Sequence, residues 1–475
     1  MRVSNWLHGC LAPSGKAPVG GIIVMGQNIG FVSTRIAGID GVSLEAAKWG
    51  EVLETGGHNC FWFAGELDKD PGKSYLVPEA HFKHPYNLWI NRQVFGKKDR
   101  TSSVTESIAN LKEILRIRLQ EFIDHFHIDL LIVENALTIP LNIPLGLALS
   151  ELVSETQIPT IAHHHDFYWE RKRLQENAVA DYLLEFFPPR LENIQHVVIN
   201  SMAREELARR RGIVATIIPN VLDFDNPQPV NHRGYNKFLA SFGLKPGHKT
   251  ILQPTRIIQR KGIEHAIDLV KNLNNSHYKL LISHKAGDEG LDYSEWIKYY
   301  AFERGVDLRL ARKPISSPWH HPKHHLNGHS LWNVYAHADF VTFPSLYEGF
   351  GNAFLEAIYF KKPLLVNRYA TFVTDIEPQG FDLVTMDGSL TPKTAQDVRE
   401  VLESPERTAE MVNQNYEIAK QHYSYSVLRR QLNSIMGRIL GQVDSVQNAA
   451  IYAKRQDVNT LKIQPDLGQF ANLKN

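Results

Sequence analysis

Short apolar runs alternate with amphipathic stretches along most of this chain. Runs at 22–25, 29–32 and 58–64 read as strands, the first two around a glycine turn, with a helix over 43–54. Ile108, Leu111, Leu115, Leu119, Phe122 and Phe126 lie at helical spacing, which predicts an amphipathic helix over 105–126 capped by Ser102 or Ser103. Strands follow at 129–133, 160–162 and 197–199, with helices at 141–153 and up to Ala208. The alternation then restarts. Strands are predicted at 250–254, 279–283, 306–310, 339–343 and 364–367, with helices at 264–273, 293–304 and 330–338 and helical chain over 395–440. Residues 65–100 read as a long irregular region rich in His, Pro, Asn and aromatics. The tail after Leu440 has no clear pattern. Strand–helix–strand alternation builds parallel, doubly wound sheets. Two successive series predict an α/β protein of two Rossmann-like domains facing each other across a cleft.

Composition narrows the picture. The chain has 475 residues, too many for one ordinary core. Lys+Arg 52 against Asp+Glu 51 leaves a net charge of +1, so no global field draws it to nucleic acid and any anion site must be local. Cys10 and Cys60 give neither a disulfide framework nor a paired metal motif. A cytoplasmic protein is expected, with no signal peptide and no apolar run long enough to span a membrane, while peripheral membrane contact stays open.

Candidate chemistry sits where strands end. The stretch Pro344-Ser345-Leu346-Tyr347-Glu348-Gly349-Phe350-Gly351-Asn352-Ala353-Phe354-Leu355-Glu356-Ala357 leaves an apolar run, turns on glycines and enters a helix. Such a turn offers backbone N–H groups and a positive dipole end to an anion, and Glu348 and Glu356 offer acceptors to hydroxyls. An anion with several hydroxyls describes a nucleotide sugar. Arg256 and Lys261 also stand between a strand and a helix, where fixed cations suit a departing diphosphate. His163-His164-His165-Asp166 follows the strand at 160–162. On a strand-to-loop turn three adjacent histidines are expected to point in different directions, against a three-ligand metal site.

These residues resemble the retaining glycosyltransferases of the GT-B fold, most closely glycosyltransferase family 4. The 344–357 string resembles its signature of two glutamates with seven residues between them, and Arg256 and Lys261 its paired cations, which replace a divalent metal. The resemblance implies a retaining hexosyltransferase that takes a nucleotide-diphospho-sugar (UDP-, GDP- or ADP-hexose) and a hydroxyl acceptor, with no cofactor and no metal. It implies catalytic roles for His165, Arg256, Lys261 and Glu348. Donor contacts would come from Gly41, Gly349, Phe350, Gly351, Asn352, Ala353, Phe354 and Glu356. Glu356 would bind the ribose hydroxyls, Glu348 would sit by the hexose, and Asp166 would orient His165 or meet the acceptor. Retention would proceed by same-face attack, with the leaving phosphate accepting the acceptor's proton.

The Ile218-Pro219-Asn220 segment resembles the end of the family's first domain. That places an acceptor-side domain at 1–222, a donor domain at 223–425, and a final helix crossing back, plus tail, at 426–475. A small-molecule, glycan or lipid-linked acceptor is expected. Two other functions stay open: a GT-B sugar phosphorylase, which needs a Schiff-base lysine and would show bound-cofactor absorbance, and a non-catalytic nucleotide-sugar-binding protein. Asp68-Lys69-Asp70 reads as a solvated turn rather than a metal motif. The cluster His320, His321, His324, His325 and His329 reads as a loop broken by Pro322, and the basic groups at 97–100 and 171–173 as ordinary surface.

Overall fold

The computed structural model describes residues 26–38, 40–227, 235–284, 291–310 and 331–441. The strand expected at 22–25, the histidine cluster at 320–329 and the tail lie outside these.

The first sheet holds β1 (Asn28–Val32), β2 (Asn59–Ala64), β3 (Ser74–Leu76), β4 (Leu130–Glu134), β5 (Thr160–His164), β6 (Ile194–Val198) and β7 (Ala215–Ile217), in the order β3-β2-β1-β4-β5-β6-β7, all parallel. The second holds β8 (Lys249–Gln253), β9 (Tyr278–Ile282), β10 (Leu308–Leu310), β11 (Phe340–Phe343), β12 (Leu364–Asn367) and β13 (Val384–Met386), in the order β10-β9-β8-β11-β12-β13, also all parallel. In both, the order reverses beside the first strand, which opens a crevice at the carboxyl ends. The α/β class and the paired doubly wound sheets agree with the sequence pattern.

Helices α1 (Gly41–Thr55), α2 (Pro85–Val94), α3 (Ser102–Phe126) and α4 (Ile143–Thr156) belong to the first sheet. The predicted spacing holds for α3, whose Ile108, Leu111, Leu115, Leu119 and Phe122 are fully buried against Phe63 and Leu131. Its cap is Thr101, which accepts from Val104 N, rather than Ser102 or Ser103. The region 65–100 is ordered where irregular chain was expected. It supplies the edge strand β3 and α2, both too short for periodicity to reveal. The 395–440 stretch is broken into Pro392–Glu403, Pro405–Tyr423 and 425–441, since Pro405 starts a helix and Ser424 breaks one.

The last helix joins the two halves. Leu428, Leu432, Ile435 and Met436 are buried with Ile29, Phe31, Trp49 and Val52 of the first sheet and α1. Tyr425 donates to Glu51 at 3.0 Å, and Leu222 N donates to Tyr423 O at 3.0 Å. Among the described residues no helix is long and apolar enough to cross a membrane.

Candidate active site

Strand geometry builds the first wall. Glu134 ends β4, and the parallel register sets it beside His163 of β5. Residues two apart on a strand share a face, so His163 and His165 both turn to Glu134. Glu134 Oε1 stands 3.1 Å from His163 Nδ1, and Oε2 stands 3.0 Å from His165 Nε2. His164 points to the other face, where its Nε2 meets His196 Nδ1 at 2.9 Å. The three histidines therefore do not splay in three directions. Two converge, and with Glu134 they are the one group of potential metal-ligating side chains among the described residues. Their facing atoms already satisfy one another as hydrogen bonds.

The electrostatics separate these rings. Burial pushes the Glu134 carboxyl up, yet the two imidazoles outweigh it and hold it at about 2. Burial keeps His163 below its ordinary value despite Glu134, and its ring stacks on Trp49 at 4.2 Å. Burial also lowers His165, but there the hydrogen bond and charge of Glu134 win and the net shift is upward. His165 is thus half-buried, with its basicity raised and Nε2 tied to Glu134. Sequence reading missed Glu134, whose signal is a carboxylate closing an apolar strand that ends in the crevice.

Glycines and short polar contacts bring the second wall in. Gly349 lies against the first domain: a Cβ there would stand 3.6 Å from His165 O and 3.1 Å from Ile199 Cδ1. Asn200 Nδ2 donates to Gly349 O at 2.7 Å, and Asn220 Nδ2 donates to Asn352 Oδ1 at 2.5 Å. Gly41 begins α1 after the capping Asp40, and a Cβ on it would stand 3.9 Å from the Asn352 amide across the crevice. Gly351 caps the helix Asn352–Tyr359 with φ +109°. The N–H groups of residues 349–353 find no acceptor among the described residues, whereas Phe354 N donates to Gly351 O at 2.9 Å. Phe350 and Phe354 bury their rings in the core, so only their main chain is near the crevice.

Glu348 lies between cations. Its Oε2 accepts from Arg260 Nη1 at 2.9 Å, and its Oε1 accepts a short hydrogen bond from the Lys261 ammonium. Burial raises the Glu348 carboxyl, but Lys261 and Arg260 more than reverse this and leave it below the usual range. Burial lowers Lys261 more than Glu348 restores it. No role was expected for Arg260, which shares the turn of Lys261. Gly262 makes that turn close, with φ +59° and a Cβ position 2.5 Å from Pro344 O. Arg256, in the same loop, is exposed and makes no ion pair among the described residues. His284, after β9, was also missed. Burial first, then Arg256 and Lys261, lower it to about 4, so it stays neutral beside them.

Glu356 accepts from the Tyr335 hydroxyl at 2.8 Å. Burial raises its carboxyl above the ordinary value against that hydrogen bond and the attraction of Lys48. Asp166 is taken by Arg171 at 2.6 Å. Asp70 caps a turn through Gly72 N at 2.8 Å and Asp68 accepts from Gly38 N at 2.8 Å, as expected of a solvated turn.

Comparison with known proteins agrees with this arrangement. The profile of the family glycosyl transferases group 1 matches residues 318–418. The mannosylglucosylglycerate synthase of Thermotoga maritima is 34% identical over 437 residues, 84% of this chain and 97% of that protein. The protein of the same name from Petrotoga mobilis is 34% identical over 384 residues, 76% of this chain and 86% of that one. Sucrose-phosphate synthase from Thermosynechococcus elongatus shares the fold with a TM-score of 0.58 at 14% identity, over 88% of this chain and all of that one. With end-to-end relatives, the two facing sheets and the 344–357 turn at the crevice, the chain belongs to the glycosyl transferases group 1 and is a GT-B hexosyltransferase.

Proposed function

We propose that this hexosyltransferase moves its hexose with retention and without a metal, from a nucleotide-diphospho-sugar to a hydroxyl of an acidic glycoside. The observation that carries the reading is Glu348 fixed between Arg260 and Lys261, with Gly349 against His165 on the facing wall. A carboxylate paired with two cations is a poor nucleophile, which disfavours a double displacement through Glu348. Same-face attack fits better. The departing diphosphate gains negative charge beside Arg256 and Lys261, and its oxygen takes the proton of the attacking hydroxyl. Those cations supply the stabilisation that a metal ion gives elsewhere. The unpaired N–H groups at 349–353 suit hexose hydroxyls and phosphate. Glu356 would accept from ribose hydroxyls.

The acceptor class comes from the relatives, whose name specifies a product of mannosyl, glucosyl and glycerate units. Mannosyl transfer to glucosylglycerate is the corresponding reaction here. The test is transfer before and after exhaustive EDTA dialysis, with intact-protein mass measured during turnover. Undiminished transfer and no hexosyl adduct are expected. Loss of transfer restored by a divalent ion, or an adduct on Glu348, would sink the mechanism.

A further inference from the structure

One basic group on the first wall has no part in donor chemistry. The segment leading into α2 crosses directly over the carboxyl end of the first sheet: a Cβ at Gly65 would stand only 2.0 Å from His81 N. Asn142 Nδ2 donates to Glu79 O at 2.9 Å, and Asn87 Nδ2 donates to Leu141 O at 2.7 Å, which ties the segment to the loop after β4. Phe82 lies on it with two cations near its ring. The Arg35 guanidinium carbon is 5.3 Å from its ring centre and the Lys83 ammonium 5.9 Å. The His81 ring is 4.5 Å away and tilted.

Arg35 comes from the loop after β1. It gives one Nη2 contact to Asp40 at 2.9 Å, and its remaining N–H groups, like the Lys83 ammonium, meet no carboxylate among the described residues. His81 accepts from Lys83 N at 3.2 Å through Nδ1 and faces Glu66 with Nε2 at 3.2 Å. It is neutral, because burial and the two neighbouring cations outweigh Glu66. The group therefore presents two positive charges beside one apolar ring, Arg35 half-buried and Lys83 exposed, and together they attract an anion. β1 stands two strands from β5 in the sheet, about 10 Å at ~4.8 Å per strand. A sugar reacting beside His165 is then about one further sugar unit from Arg35.

We propose that Arg35 and Lys83, both close to the Phe82 ring, form the subsite that binds the carboxylate of the acidic acceptor. The proposal rests on the acceptor reading above and adds the residues that would enforce it. The experiment compares glucosylglycerate with glucosylglycerol, its uncharged counterpart, as acceptors for wild type, Arg35→Gln and Lys83→Ala, with donor hydrolysis measured in parallel. Lys83→Ala leaves the Arg35–Asp40 pair in place, so it serves even where Arg35→Gln disturbs the start of α1.

Wild type should prefer the acid, and each variant should lower the ratio of kcat/KM for acid over neutral acceptor roughly tenfold or more. A ratio unchanged in both variants overturns the subsite and leaves the acceptor class standing. Wild type that hydrolyses donor yet uses neither acceptor overturns the acceptor class and the subsite together.

Discussion

Glu134 holds two imidazoles on one carboxylate, yet their basicities shift in opposite directions. His163, buried against Trp49, is pushed below its ordinary value, while His165 is raised above it. The sign follows directly. A raised imidazole keeps its charge below its ordinary value of about 6.5 and loses it as pH climbs through the raised value. Transfer that uses the charged ring should decline on that alkaline limb. Burial is already the largest single influence on His165, and Glu134→Gln removes the charge that outweighs it, so the limb should move to lower pH in a kcat profile. A limb that stays in place would separate His165 from the step.

Lys261→Ala and Arg256→Ala should each lower kcat about 10²–10³-fold, the usual cost of losing one preorganised charge at a developing anion. The loss should be smaller for donors whose leaving group needs less help. His165, Arg256, Lys261, Glu348 and Glu356 were singled out as candidates because each stands in a local string of residues. Glu134 and Arg260 were not. Glu134 meets His165 only through the register of two strands, and Arg260 meets Glu348 only after the chain has travelled 88 residues.

At the scale of elements, the turns position the chemistry. Gly351 adopts φ +109°, and a Cβ there would lie 2.9 Å from the Phe343 ring and 3.1 Å from the Tyr369 hydroxyl, which donates to Phe350 O at 2.6 Å. Gly351→Ala therefore combines backbone strain of about 1–3 kcal/mol with a steric clash. It should lower the denaturation midpoint and raise the donor KM together. An unchanged donor KM would mean the 349–353 main chain does not bind donor. Strand and helix positions in the second half were readable because buried parallel strands give plain apolar runs. β3, β13 and α2 escaped because each is short, and β3 and β13 are edge strands of three residues, with no residue of β3 buried.

For the whole molecule, the crevice depends on how the halves are joined. Ser201 N and Oγ both donate to Asp375, Asn200 reaches Gly349 O, and the 425–441 helix lies in the first core. Leu432 is fully buried there. Leu432→Ala should cost about 2–5 kcal/mol, read as a lower urea midpoint. Asp375→Ala, at the other contact, should weaken acceptor and donor binding with little loss of stability, measured by KM for both substrates. The Ser201–Asp375 and Asn200–Gly349 joints connect residues 174 and 149 positions apart, separations at which the sequence pattern is silent.

The proposed mechanism centres on same-face transfer in a crevice where Glu348 is paired rather than free. Proton NMR of the first-formed glycoside, recorded before any spontaneous anomerisation, tests it most directly. The expected result is a new bond whose anomeric configuration matches that of the donor. A product of inverted configuration would contradict it.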